Sequence, residues 1–359
     1  MSHTTRLILV VAIAIVTAGM AGMWWWSRPE RLRSYAVAAA KAGQWQEALD
    51  SWRGVNATRL AQGNTYLAEA RAALALGRAA EAEKALAKAS SLNPSAPEPW
   101  RLRLEILRLE GRPLEAQLVG WAAYDAVTPR SSREILENLT LALLADLQDD
   151  VANPALTRWA EAGNDPDARV ALFRRLAAMP RAGDLPRADR VAELTAILEK
   201  TPGHLDAREV LLDALADSGE PELGRKILDA WPGEESSRDA RYWRLRGRWD
   251  LDFNRDPGPA VEAFERALTD LPHDWKTRFR LARALHALGR EAEARKEAEA
   301  VAKIRELLDP SRLGPRLSSD FKRRDDPKSL DDLADLCARA GLSRLAEAWR
   351  REAATLRAG

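Results

Sequence analysis

Three arginines in the segment RDARYWRLRGRWDL are spaced so that a single helix face would carry all of them. Arg241, Arg244 and Arg248 fall at positions i, i+3 and i+7, which lie on one side of an α-helix. Guanidinium groups form charge-assisted and often bidentate hydrogen bonds with carboxylates, so this row would bind an acidic segment or a chain carboxylate. In the alternative interpretation the arginines are solvated and paired with Asp250, Asp252 or the acidic residues of adjacent helices.

No residue pattern in the chain indicates catalysis. None of His3, His204, His273 and His286 stands with cysteines or carboxylates at the spacing of a metal site. Cys337 is the single cysteine, which excludes an intramolecular disulfide and a thiolate-rich metal site. The motifs G-x-S-x-G, G-x4-G-K-[ST] and G-x-G-x-x-G do not occur. The sequence therefore predicts no enzyme, no cofactor and no metal ion.

The composition is that of a folded, helical protein without a global charge. Hydrophobic residues make up 46% of the 359 residues and charged residues 30%, which separates the chain from disordered sequences. Alanine, leucine, arginine and glutamate dominate, and this mixture favours helices. The net charge of +1 arises from 55 basic and 54 acidic residues. The chain has no overall electrostatic field that would attract nucleic acid. We therefore expect no nucleic-acid partner.

The helices that would position the arginine row are organised in a repeat of 34 residues. Glycines and alanines recur at this interval, at Gly43, Gly77 and Gly111 and at Ala48, Ala82 and Ala116. Each unit has the pattern of a helix, a turn with glycine, and a second helix. The glycine supplies the left-handed conformation that ends a helix, and the alanine lets the paired helices approach closely.

These units resemble the tetratricopeptide repeat, whose pattern runs W-x2-L-G-x2-Y, then A-x3-F, then P. Trp100 stands at the first aromatic position, Ala116 at the alanine, and Pro94 at the closing proline of the preceding unit. The segment AVEAFERALTDLP matches the second-helix pattern in a later unit. The resemblance implies an all-α fold, a right-handed superhelix of antiparallel helix pairs, in which the first helix of each pair lines a concave groove for a protein or peptide partner.

Four further basic residues would lie on helices that line this groove. Lys276 and Arg283 would extend the arginine row on the next unit, and Arg101 and Arg108 would contribute from an earlier one, interrupted by Glu105. We therefore predict a partner-binding groove that favours an acidic segment. The seven predicted groove residues are Arg101, Arg108, Arg241, Arg244, Arg248, Lys276 and Arg283.

The amino-terminal segment has the pattern of a membrane anchor. Residues 7–26 carry no charge and would span roughly 30 Å as a helix, the thickness of a bilayer core. Tryptophan prefers the headgroup level and arginine the phosphate layer, which predicts a membrane interface at Trp24, Trp25, Trp26, Arg28 and Arg31. The alternative is a cleaved signal peptide, because small residues such as Ala18 and Ala21 could be recognised by a peptidase.

The predicted organisation has six parts. They are a transmembrane anchor (7–26), three regular repeats (29–129), degenerate helical repeats (130–203), three repeats (204–308), a linker loop (309–329) and a C-terminal helix pair (330–357). The loop is predicted because its sequence is rich in proline, serine and alternating charge. A plain linker and a functional loop are both compatible with that composition.

The function predicted from these features is that of a membrane-tethered scaffold that mediates protein–protein interaction and assembles or recruits a membrane or envelope complex. The alternatives are a regulatory or adaptor subunit of a membrane-associated transferase or hydrolase, and an oligomerising structural or secretion component. The predicted location is a single-pass membrane protein with its body on the extracytoplasmic side, a cytoplasmic body being the alternative. Bacterial membrane-anchored repeat proteins with a four-cysteine metal module are also similar, but the single cysteine of this chain does not support their function.

Overall fold

A computed structural model describes residues 29–144, 154–162, 165–178, 185–234 and 238–358. Within these ranges the regular structure consists of nineteen α-helices and contains no strand. The predicted all-α fold is therefore confirmed, whereas the handedness of the superhelix stays a prediction.

The helices up to residue 200 are α1 (Pro29–Lys41), α2 (Trp45–Asn56), α3 (Gly63–Ala75), α4 (Ala79–Leu92), α5 (Pro97–Glu110), α6 (Pro113–Ala126), α7 (Pro129–Leu144), α8 (Pro154–Glu161), α9 (Pro166–Ala178) and α10 (Arg187–Lys200). The remaining ones are α11 (Leu205–Ser218), α12 (Pro221–Asp229), α13 (Ala240–Asp252), α14 (Pro257–Asp270), α15 (Trp275–Ala287), α16 (Glu291–Leu307), α17 (Pro310–Lys322), α18 (Pro327–Arg339) and α19 (Ser343–Ala358).

The periodic glycines end the first helix of several pairs. The φ angles of Gly43, Gly77 and Gly111 are 74°, 77° and 66°, a left-handed conformation that residues with a side chain rarely adopt. The amide of the next residue then bonds back into the helix, as in the 2.9 Å bond from Gln44 N to Ala39 O. The same conformation recurs at Gly219, Gly289 and Gly341. These turns are short enough to place consecutive helices side by side.

Small residues allow the paired helices to approach closely. Ala48, Ala82 and Ala116 are completely buried, as the 34-residue period predicts. At Gly247, in α13, an added Cβ would lie 2.7 Å from the ring of Phe264 in α14. A larger residue at such a position would push the two helices apart.

The chain divides into two compact units, and the division falls within α5, between Arg103 and Leu104. In the first unit, α1 packs on α2 and α3 packs on α4. Its core contains fully buried Leu49, Val55 and Leu86. The second unit holds the remaining helices. The domain boundaries predicted from the repeats otherwise stay predictions.

Within the second unit, the last three helices pack against α7. Leu136 and Leu139 of α7 share one apolar cluster with Leu333 of α18 and Trp349 of α19. The indole Nε1 of Trp349 donates a buried 3.0 Å hydrogen bond to Oγ1 of Thr140, 209 residues earlier in the chain. We call the contact of α7 with α17, α18 and α19 the closing interface, because it makes the second unit close on itself.

The linker loop predicted over 309–329 is wrong for most of its length, because α17 occupies it. Oδ1 of Asp309 accepts a 2.9 Å hydrogen bond from the amide of Ser311 and caps the helix, and a proline occupies the first helical position, where its fixed φ is favourable. Leu313 and Leu317, one turn apart, are buried and belong to the closing interface. This short apolar stripe, rather than the loop-like composition, determines the structure.

The predicted membrane anchor lies outside the described residues, together with four of its five predicted interface residues. These are Trp24, Trp25, Trp26 and Arg28. The fifth, Arg31, lies in the first turn of α1 and is partly buried.

The predicted single-pass membrane localisation needs correction. Among the described helices, none is both long enough and apolar enough to cross a membrane. The longest of them, α16, has 17 residues and would cover about 25 Å, less than the roughly 30 Å of a bilayer core, and it carries charged residues throughout. The membrane localisation is therefore contradicted for the part of the chain that the structure describes.

The closing interface gives a first prediction. Thr140→Val keeps the side-chain volume but leaves the buried indole N–H of Trp349 without its acceptor, and we expect the free energy of unfolding to fall by about 1–2 kcal/mol. The matched control is Thr195→Val, because the hydroxyl of exposed Thr195 also bonds the carbonyl four residues earlier but accepts no indole. Urea unfolding followed by circular dichroism measures both variants. Equal stability of the two would contradict the proposed contribution of the Trp349–Thr140 bond.

Candidate functional site

The second unit surrounds a cavity of about 980 Å³. Its walls are the inward faces of α9, α11, α13 and α15, with residues from the ends of α5, α7 and α16. We call it the interior cavity. It brings together five of the seven predicted groove residues, namely Arg108, Arg241, Arg244, Arg248 and Lys276. Arg101 is an exposed residue of the first unit, and Arg283 is an exposed residue that does not line the cavity.

Helix α11 presents a row of carboxylates to the arginine row of α13. Its acidic residues lie at i, i+3, i+7 and i+11, and they are Asp206, Glu209, Asp213 and Asp217. Because both helices use the i, i+3, i+7 spacing, each places its charges along one stripe. The two stripes face each other along the wall of the interior cavity. We call this arrangement the charge ladder.

The contacts in the charge ladder are direct and shared. Arg244 donates to Oε1 of Glu209 at 3.0 Å and to Oδ2 of Asp213 at 2.7 Å. Arg248 donates to Oδ1 of the same Asp213 at 2.9 Å. Arg241 donates to Oδ2 of Asp206 at 2.9 Å. Each of the three predicted arginines therefore has at least one carboxylate partner within the protein.

Helix α9 adds a fourth arginine from the other side of α11. Arg174 Nη2 donates to Oδ1 of Asp206 at 2.7 Å and to Oε2 of Glu209 at 2.9 Å. Its Nη1 donates to the carbonyl of Gly111 at 2.8 Å, in the turn after α5. Arg174 thus joins three helical segments. Arg174 was not predicted from the sequence, because the repeat pattern is irregular in that region.

The geometry therefore matches one half of the alternative interpretation: the arginine row is paired with acidic residues of an adjacent helix, but its side chains are largely buried and not solvated. Of the two residues proposed there, Asp252 lies 3.9 Å from Arg248 and 3.4 Å from Arg283, while Asp250 pairs with Arg246 at 2.9 Å. The sequence contains a matching pattern, since the carboxylates of LDAREVLLDALADS have the same spacing as the arginines, but this spacing does not show that the two helices are neighbours.

The shared carboxylate at the centre of the charge ladder stays ionised well into the acidic range. Burial opposes the charge of Asp213, but the guanidinium groups of Arg244 and Arg248 outweigh it and lower the pKa of Asp213 from 3.8 to about 2. Burial likewise disfavours the cation of Arg244, yet Asp213 and Glu209 raise its pKa above the ordinary value. Each charge is thus stabilised by its neighbours.

Arg280 of α15 differs from these arginines. It lines the interior cavity, but among the described residues it has no hydrogen bond and no carboxylate within 4.0 Å. Burial, reinforced by the nearby cations of Arg244 and Arg248, lowers the pKa of Arg280. Asp213 and Asp274 favour its charge but offset these effects only in part, so a carboxylate placed beside Arg280 would stabilise the cation.

Arg305 of α16 is a second such cation. It also lines the interior cavity and, within the described ranges, has no carboxylate within 4.0 Å. Its guanidinium lies 5.0 Å from the centroid of the Trp275 ring, a cation–π distance. The α15–α16 side of the cavity therefore carries two guanidinium groups that have no carboxylate within 4.0 Å among the described residues, while Asp274, Glu306 and Asp309 also line the cavity.

The charge ladder predicts a pH dependence of stability. Because the folded pKa of Asp213 is about 2, below its ordinary 3.8, its contribution is complete above about pH 4 and is lost as the pH falls towards 2. We expect Asp213→Asn to lower the free energy of unfolding by about 1 kcal/mol at neutral pH. The variant should also lose less of its free energy of unfolding than the original chain between pH 4 and pH 2. Urea unfolding at each pH measures this.

The control for this experiment is Asp217→Asn. Asp217 is half-exposed and pairs with the single arginine Arg248, so its replacement should leave the acid dependence nearly unchanged. An acid dependence of the Asp213→Asn variant equal to that of the original chain would contradict the assignment.

Two segments of the chain match models of the tetratricopeptide repeat, at residues 63–95 and 254–306. The first contains α3 and α4, and the second contains α14, α15 and most of α16. No curated protein sequence matches the chain.

Several solved structures are similar to the chain over most of its length. The structure of the APC/C hetero-tetramer Cut9–Hcn1 matches at 16% identity and a TM-score of 0.35, covering 94% of this chain and 81% of that one. The TPR domain of P58(IPK) matches at 15% identity and a TM-score of 0.32, covering 91% and 92%. Yeast Tom70 matches at 10% identity and a TM-score of 0.27, covering 91% and 76%.

The helix pairs and their glycine turns agree with the two matched segments. On that basis the chain contains tetratricopeptide repeats at residues 63–95 and 254–306.

Proposed function

We propose that the chain is an interaction scaffold that holds an acidic segment of a protein partner in the interior cavity. Tetratricopeptide repeats indicate a protein–protein interaction scaffold. The more specific part of the proposal is that the interior cavity is the binding site and that the partner segment is acidic. It is supported above all by one observation: Arg280 lies in the cavity beside Arg244 and Arg248 without a carboxylate of its own among the described residues.

An acidic side chain at Arg280 would relieve an unfavourable arrangement of charge. Arg244 and Arg248 share Asp213. Burial and these two cations disfavour the charge of Arg280, and the more distant Asp213 and Asp274 offset this only in part. A carboxylate from a partner would form charge-assisted hydrogen bonds with this guanidinium. Such a bond is stronger in a partly desolvated cavity than on an open surface.

The charge ladder also restricts where an anion can bind. The carboxylates of α11 already surround the arginines of α13, and they would repel an acidic segment that approached that wall. The α15–α16 side, with Arg280 and Arg305, is where attraction remains. We infer that the ladder acts as a fixed wall that directs the acidic segment towards α15.

The proposed biological role is to recruit a partner into a complex, with no chemical step on the scaffold itself. An extended segment bound inside a closed helical unit is held by several helices at once. This arrangement suits a scaffold, because the partner's position is then defined by the whole unit and not by one loop.

The test uses a short fluorescent polyglutamate peptide and the full chain, with anisotropy as the measurement. We expect the peptide to bind, a polyglutamine peptide of equal length to bind much more weakly, and salt to weaken the binding by screening. Arg280→Gln should reduce the affinity for polyglutamate about tenfold or more, the loss expected for a charged hydrogen bond.

Arg283→Gln is the matched control, because Arg283 lies on the same helix but is 52% exposed and faces Asp252. Its replacement should leave the affinity unchanged. Equal binding of polyglutamate and polyglutamine, or equal losses in both variants, would overturn the proposal.

A further inference from the structure

A second cavity, of about 550 Å³, lies along α17. Its lining is apolar, with Leu141 of α7 on one side and Leu313, Leu317 and Phe321 of α17 on the other. Among the side chains that line it, the polar ones are Ser318 and Lys322. We call it the α17 groove. It lies in the segment that does not follow the 34-residue period.

The α17 groove and the interior cavity adjoin each other. Leu308, which follows α16, and Pro310, the first residue of α17, line both of them. One extended segment could therefore run from the charged cavity into the apolar groove without leaving the protein surface. The junction also lies close in sequence to Arg305, one of the two cations without a carboxylate.

The α17 groove contains open space that the fold itself does not use. Gly314 is exposed, and a Cβ added there would meet no atom within 4 Å. At the far end, Lys322 has no carboxylate within 4.0 Å in the described part of the chain. The open position at Gly314 leaves room for apolar side chains of a partner. Lys322 offers a cation to an additional acidic group.

We propose that the recognised segment is bipartite, with an acidic part bound in the interior cavity at Arg280 and adjacent large apolar side chains bound in the α17 groove. The inference rests on the proposed function and extends it, since it specifies the sequence that the partner must carry. Charge supplies the orientation of the segment, and burial of leucine, methionine or phenylalanine side chains supplies the rest of the affinity.

The chemistry of the two sites explains why one segment would use both. An acidic segment alone gains little net free energy, because its carboxylates lose hydration on entering the cavity. An apolar segment alone would bind any hydrophobic surface and would lack orientation. A segment with both parts gains specificity from Arg280 and affinity from the apolar surface that it buries.

The experiment selects binders from a random peptide library displayed on phage, with the full chain as bait. We expect enriched peptides to combine acidic residues with neighbouring leucine, methionine or phenylalanine. Two variants fill the groove: Gly314→Leu, at the open position, and Ser318→Phe, one turn further along. With either bait the apolar preference should disappear, and enriched peptides should bind at least about tenfold more weakly.

Ser319→Phe is the matched control, because Ser319 is exposed on the same helix but does not line the groove. It should select the same peptides as the original chain. Circular dichroism of each bait confirms that the helices are intact.

The outcomes separate the two proposals. Enriched peptides that are acidic but carry no apolar preference would overturn the bipartite inference and leave the proposed function standing. Apolar peptides without acidic residues, or a preference unchanged by Arg280→Gln, would overturn the proposed function. No enrichment over an unrelated bait would overturn both, and selection of identical peptides by the groove-filling variants would overturn the role of the α17 groove.

Discussion

The pairing of the acidic stripe of α11 with the arginines of α13 and α9 is the constraint on which the interior cavity depends. Charged groups that leave water must be compensated by partners with good geometry, and removal of one partner leaves another charge exposed to like charges. Asp213 of α11 is shared between Arg244 and Arg248 of α13. A shift of one helix along the other would break these contacts, so they define the register of α11 against α13. The ion pairs therefore join the two helices where the charge of the cavity wall is greatest.

This constraint also determines what remains for a partner. A repeat scaffold whose arginines were all solvated would attract acidic molecules at many positions with little discrimination. Here the arginines of α13 have carboxylate partners on α11, whereas Arg280 and Arg305 have none within 4.0 Å among the described residues. In the proposed function, recognition depends on these few positions, and the adjoining apolar surface of the α17 groove distinguishes among acidic segments.

The sequence predicted those features that are local and periodic. Glycines that require a positive φ and alanines that face a paired helix recur every 34 residues, so the helix pairs could be recognised without the structure. The charge ladder could not be identified in the same way, because a stripe of arginines does not reveal which helix it faces. Arg174 was missed because its repeat is irregular, and α17 because proline and serine obscured the stripe of Leu313 and Leu317.

The closing interface has a consequence for how such a protein can change during evolution. An open array of repeats tolerates the gain or loss of a unit, since each unit contacts only its neighbours. In the second unit, however, Trp349 must meet Thr140 across 209 residues of chain. An inserted or deleted helix pair would move α19 away from α7 and leave both apolar faces uncovered. We therefore expect evolution to preserve the number of helix pairs between α7 and α19. Related sequences would then differ by substitutions and by the lengths of loops.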